Sequence, residues 1–146
     1  MKYYVPTVFL EDFDSYILNQ YYSNLFDAVE YLHSREIVHR DIKPDNILLA
    51  NRQDLSSLKL IDFGLSSQYF EIIGDFEFCG TLLYMAPEQL EKRIYTKSID
   101  IWSCGVIMYQ LLNNGIHPFF NKGDNSTQFG EKLKNGKWTS KCTLSK

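Results

Sequence analysis

The feature that most limits how this chain can fold is the window Ile99 to Leu112, 14 residues in which only Asp100 carries a charge. Apolar side chains fall on every side of a 3.6-residue helix drawn through it, and such a helix belongs at the centre of a domain. It is too short to span a bilayer, which needs about 20 apolar residues. Asp100 is costly to bury there unless other groups bond to its carboxylate.

The remaining elements are arranged around that helix. Leu18, Tyr22, Leu25, Val29 and Leu32 recur at alternating spacings of four and three, with Tyr21 and Ala28 widening the stripe. The pattern predicts an amphipathic helix of about five turns, capped by Asp12, Asp14 or Ser15 and ended by Ser34-Arg35-Glu36. Ile37-Val38, Ile47-Leu48-Leu49 and Leu58 to Ile61 read as three short strands around a loop, His39 to Asn46, held rigid at Pro44. From Asp62 to Glu88 no period persists, and a connection of that length is usually functional. A short helix is expected at Thr127–Lys134. With 146 residues, 45% of them apolar, the chain can build one domain with a core. The expected class is α+β, mainly helical.

Charge and cysteines narrow the function. Fifteen Lys and Arg against 18 Asp and Glu give a net charge of -3, which leaves no polybasic footprint for nucleic acid or an anionic membrane. Cys79, Cys104 and Cys142 are odd in number and have no C-x-x-C spacing, so a reducing, cytoplasmic setting is expected. Pro6 interrupts the short apolar start and acids follow it, so no signal peptide is read.

The chemistry lies in a series of short motifs. The loop His39-Arg40-Asp41-Ile42-Lys43-Pro44-Asp45-Asn46 is followed, 21 residues after Asp41, by Asp62-Phe63-Gly64. Gly80-Thr81, Ala86-Pro87-Glu88 and Asp100-x-Trp102-Ser103-x-Gly105 come next. Singly, Asp41, Asn46 and Asp62 would be turn residues, since Asp and Asn favour turns. Their joint order and spacing point instead to a metal–nucleotide site. The set resembles the C-terminal lobe of the eukaryotic protein kinases, from about residue 10 to 137.

That resemblance implies an ATP-dependent phosphoryl transfer to protein hydroxyls, with Mg²⁺. Asp41 matches the base that orients the attacking hydroxyl, and Asn46 and Asp62 match the two metal ligands. Lys43 matches the lysine of serine/threonine kinases that reaches the γ-phosphate and substrate. Together with Gly80-Thr81 at the substrate-docking loop, it favours a Ser/Thr acceptor. Leu48 matches the floor of the adenine pocket, and Arg40 the arginine that holds a phosphorylated activation loop. Glu77, three residues before Gly80, is expected to stand in for that phosphate, because a carboxylate can still make a charge-assisted bond to Arg40. The resemblance makes His39 structural, packed near Phe63, and bonds Asp100 to backbone amides of the catalytic loop. His33 and His117 are read as structural.

Asp62 to Ser66, Cys79-Gly80-Thr81 and the tail from His117-Pro118-Phe119 resemble the calcium/calmodulin-dependent and calcium-dependent kinases, so calcium-sensor regulation is an expectation for the complete protein. No Gly-rich phosphate loop or V-A-I-K-like lysine precedes the first helix. The expectation is therefore a partial kinase domain over 1–146, truncated at both ends and lacking the small lobe, whose isolated chain is inactive. The alternative is a noncatalytic kinase-like binding module or decoy.

Overall fold

The computed structural model describes residues 3–4, 15–51, 54–69, 79–91 and 95–136. Helix α1 spans Ser15–His33 and buries Tyr21, Tyr22, Leu25, Val29 and Leu32, the stripe set by its apolar spacing. Leu18 and Ala28 flank that stripe, half-buried. Ser15 is the first helical residue; the other two candidate caps, Asp12 and Asp14, lie outside the described residues. Glu36 ends the run with φ 58°, a left-handed conformation that cannot continue a right-handed helix.

Four strands follow: β2 (Ile37–Val38), β3 (Ile47–Asn51), β4 (Asp54–Leu60) and β5 (Ser67–Gln68). With β1 (Tyr3–Tyr4), they form two antiparallel sheets, one in the order β1-β3-β4 and one pairing β2 with β5. In the larger sheet Leu48 stands opposite Tyr4 and Lys59, and Ile47 opposite Leu60. In the smaller, Val38 pairs with Ser67, which ties the start of the His39–Asn46 loop to the segment after Gly64. The third expected strand begins four residues earlier than Leu58 and stops at Leu60. The strands β1 and β5 were not expected, because two-residue strands carry no alternation and exist only through their partners.

Three helices complete the described chain: α2 (Pro87–Leu90), α3 (Ser98–Leu112) and α4 (Ser126–Lys134). A capping box starts α4, with Asn125 Oδ1 accepting from the Gln128 amide at 2.9 Å and Gln128 Oε1 accepting from the Asn125 amide at 3.0 Å. The main core joins α1 and α3 to the sheet through Leu25, Val29, Ile42, Ile47, Leu58, Cys104 and Ile107. A second cluster, Val38, Ala86, Tyr95 and Ile99, lies beneath the loop. Fully burying each large aliphatic side chain contributes about 1.5–3 kcal/mol.

Although its apolar residues fall on every side, α3 is covered on one side only among the described residues. Its buried face carries Ile99, Asp100, Ser103, Cys104, Val106, Ile107, Gln110 and Leu111. Ile101, Met108 and Leu112 remain 45%, 37% and 43% exposed. Spaced seven and then four residues apart, these three share the side of the helix that the core elements do not reach. Among the described residues no helix is long and apolar enough to cross a membrane.

Candidate active site

The foundation of the site is Asp100, 1% exposed near the start of α3. Its Oδ2 accepts hydrogen bonds from the backbone amide of His39 at 2.9 Å and from His33 Nε2 at 2.8 Å. Its Oδ1 accepts from the amide of Arg40 at 2.9 Å. Arg40 has φ 68°, and a left-handed residue turns successive N–H groups to one side, forming a nest for an anion. The side chain of Asp100 occupies that nest, as the resemblance implied. His33 supplies a third donor that the sequence did not reveal, since its partner lies 67 residues away.

His39 is fully buried and its ring bonds fix its tautomer. Nδ1 accepts from the Asp41 amide at 3.3 Å, so the proton belongs on Nε2, which donates to the Ile61 carbonyl at 3.0 Å. The Phe63 ring packs against it with centroids 4.9 Å apart. His39 is therefore a strut between the loop and the Asp62-Phe63-Gly64 turn.

Pro44 opens a short 3₁₀ turn, Pro44–Asn46, and its fixed φ suits the first position of such a turn. The turn brings Asn46 back beneath Asp41: Asn46 Nδ2 donates to the Asp41 carbonyl at 2.8 Å and to Asp41 Oδ2 at 3.1 Å. Lys43 Nζ donates to the same Oδ2 at 2.8 Å and to Thr81 Oγ1 at 2.8 Å. The Thr81 hydroxyl donates to Asp41 Oδ1 at 2.7 Å. Thus Asp41, Lys43, Asn46 and Thr81, spread over 40 residues, form one closed cluster. Burial pushes the Asp41 pKa up, but the hydrogen bonds from Lys43 and Thr81, the Lys43 charge and the Asn46 bond outweigh it and hold the carboxyl below the usual carboxylate range.

Gly80 permits Thr81 to come this close. It has φ 109°, and a Cβ there would lie 2.5 Å from the Arg40 carbonyl oxygen. Gly80→Ala is expected to cost about 1–3 kcal/mol, from left-handed strain and displaced backbone. Urea unfolding checks this, and an unchanged midpoint would contradict the close approach.

Asp62 is exposed and left-handed at φ 62°, with Oδ1 accepting from the Gly64 amide at 3.3 Å. The bond from the Ile61 amide to the Asn46 carbonyl, 3.0 Å, runs the chain into Asp62 alongside Asn46. Leu48 lies two residues beyond Asn46 on β3, 4% exposed. The Arg40 side chain donates through Nε to the Leu65 carbonyl and through Nη1 to the Tyr95 hydroxyl at 3.4 Å. Glu77 lies outside the described residues.

A buried carboxylate held by a lysine and a hydroxyl, with the Asn46 amide bonded to it and the exposed Asp62 carboxylate on the segment that runs alongside Asn46, is an arrangement that can orient a hydroxyl. The family model for the protein kinase domain matches residues 7–143. The chain belongs to the protein kinase family. This chain is 50% identical over 132 residues to "Probable serine/threonine-protein kinase fhkC" of Dictyostelium discoideum, covering 88% of this chain and 21% of that protein. It is 46% identical over 115 residues to a "Probable myosin light chain kinase" of the same organism, covering 79% and 23%. It is 40% identical over 125 residues to the "Calcium/calmodulin-dependent protein kinase type II alpha chain" of Drosophila melanogaster, covering 77% and 23%. The chain thus spans less than a quarter of the length of these relatives. The described residues have the mainly helical architecture of a protein kinase large lobe.

Proposed function

We propose that this kinase transfers the γ-phosphate of ATP to serine or threonine hydroxyls of protein substrates when part of its full-length protein. The observation that carries the reading is the closed Asp41–Lys43–Asn46–Thr81 cluster, with Asp41 ionised at its centre. A noncatalytic binding module has no chemical need for it. Asp41 orients the incoming hydroxyl and accepts its proton at a carboxylate oxygen. Lys43 keeps a positive charge beside the reacting group, and Thr81 fixes Lys43 and Asp41 relative to each other.

The donor set fits Mg²⁺. Asn46 uses its amide nitrogen on Asp41, which turns its carbonyl oxygen away from the cluster, and Asp62 offers an exposed carboxylate. Oxygen ligands of these two kinds suit a hard cation that keeps several waters. When bound, the ion supplies neutralisation of phosphate charge. Leu48 supplies the apolar surface under the adenine in this reading.

The Drosophila relative's name supports regulation of the complete protein by a calcium sensor, and the sequence position of Glu77 supports a pairing with Arg40 that replaces loop phosphorylation. Three cysteines without a C-x-x-C spacing support a reducing, cytoplasmic setting.

The test is an assay of the full-length protein with Mg²⁺, γ-labelled ATP and matched peptides whose acceptor is Ser, Thr or Tyr. Label is expected on the Ser and Thr peptides and not on the Tyr peptide. Label on none of them overturns the catalytic reading in favour of a binding module.

A further inference from the structure

We infer that His117 is a positioning residue for the Asp41–Lys43–Thr81 cluster, acting through Leu83 to anchor the turn that follows Thr81 against the connection between α3 and α4. The inference deepens the proposed function and rests on it for its kinetic consequence.

His117 is 6% exposed and uses both ring nitrogens. Nδ1 accepts from the amides of Phe119 at 3.1 Å and Phe120 at 2.9 Å. Two N–H groups aimed at one nitrogen leave it no room for a proton, so the proton sits on Nε2. Nε2 donates to the Leu83 carbonyl at 2.7 Å. The rings of Tyr84, Phe119, Phe120 and Phe129 meet the imidazole edge to face, the closest at a centroid distance of 5.6 Å, and they block its rotation. Burial holds the His117 pKa below its ordinary value, against the opposing pull of the Leu83 bond, which keeps the neutral tautomer in place.

The anchored segment depends on that bond. Leu82–Tyr84 is a single 3₁₀ turn with none of its three side chains fully buried, so apolar packing alone does not hold it. Its carbonyls are gripped from two separate elements: Leu83 by His117, and Tyr84 by Ser103 Oγ of α3 at 2.8 Å. The turn begins on Thr81, whose carbonyl accepts from the Tyr84 amide at 2.9 Å. Thr81 is also the residue whose hydroxyl joins Asp41 to Lys43. Freeing Leu83 therefore loosens the backbone that aims Thr81. An apolar residue at 117 could fill the aromatic cage but could not make this bond.

Two substitutions in the full-length protein separate the two halves of the imidazole. In His117→Asn the side-chain oxygen can replace Nδ1 and keep the Phe119–Phe120 turn, but it cannot reach Leu83. In His117→Gln the longer arm can donate to Leu83 and gives up the turn. Amide hydrogen exchange at Tyr84 and Met85, whose N–H groups close the turn, is expected to accelerate about tenfold or more in the Asn variant and to stay near wild type in the Gln variant. The kcat for phosphoryl transfer is expected to fall about tenfold in the Asn variant and recover in the Gln variant, with the KM for ATP unchanged in both. Equal exchange at Tyr84 in the two variants overturns the anchor, whatever their overall stability. Faster exchange with unchanged kcat overturns the positioning role. If the wild type transfers no phosphate, the proposed function fails while the exchange comparison still decides the anchor.

Discussion

Replacing Asp41 by Asn in the full-length kinase is expected to lower kcat about 10²–10⁴-fold, the usual contribution of a positioned general base, while leaving the KM for ATP nearly unchanged. The amide is close to isosteric, but it cannot take a proton, and its NH₂ group would face a donor, Lys43 or Thr81, that the carboxylate now accepts from. The loss comes from two sources: the base itself and the unlocking of Lys43. The pairing also sets the acid limit. Because the folded pKa of Asp41 lies below its ordinary value of 3.8, its contribution to stability is fully present above that value and disappears as pH falls through the folded pKa. The wild type is therefore expected to hold its kcat/KM from neutral pH down through pH 5 as far as Asp41 is concerned. Steady-state kinetics across pH checks both points, and an Asn variant within tenfold of wild type would remove Asp41 from the reaction.

Asp100→Ala is expected to be the most destabilising single change at the site, costing about 3–5 kcal/mol, because it strands the His39 and Arg40 amides and His33 Nε2 without their acceptor. Domains of this kind are stable by about 5–15 kcal/mol in total, so the variant would be close to unfolding. Asp100→Asn keeps one acceptor oxygen but turns an NH₂ group towards a donor, and should fall between Ala and wild type. Urea unfolding of the three proteins gives the order. A loss under about 1 kcal/mol for Ala would mean that water replaces the carboxylate in its nest.

Much of this was legible in the chain because the relevant signals are local. The alternating spacing of Leu18 to Leu32 fixed α1 and its buried face, and the β-branched and Leu-rich pairs marked β2 and β3. The motif residues Asp41, Lys43, Asn46 and Thr81 do converge, and Asp100 does bond the loop amides. What the sequence could not show depends on partners distant along the chain. Nothing near Ser67-Gln68 announces a strand, since it exists only opposite Ile37-Val38. Nothing near His33 or His117 shows that their nitrogens meet Asp100 and Leu83. The full exposed line along α3 was not legible for a related reason: hydropathy reports that Ile101, Met108 and Leu112 are apolar, not which side of the helix the core elements approach.

The Asp100 nest also sets an order of events. Its acceptor lies 61 residues after the His39 amide it holds, and closing so long a loop carries an entropic cost that must be met before the contact stabilises anything. A chain synthesised only as far as Gln89 already contains α1, the β3–β4 pair, Lys43 and Thr81, yet it has no carboxylate for the left-handed turn at Arg40. The loop that carries Asp41 therefore takes its working shape only after the start of α3 has been made and docked. A nascent chain holds the residues of the cluster before it holds the group that shapes them.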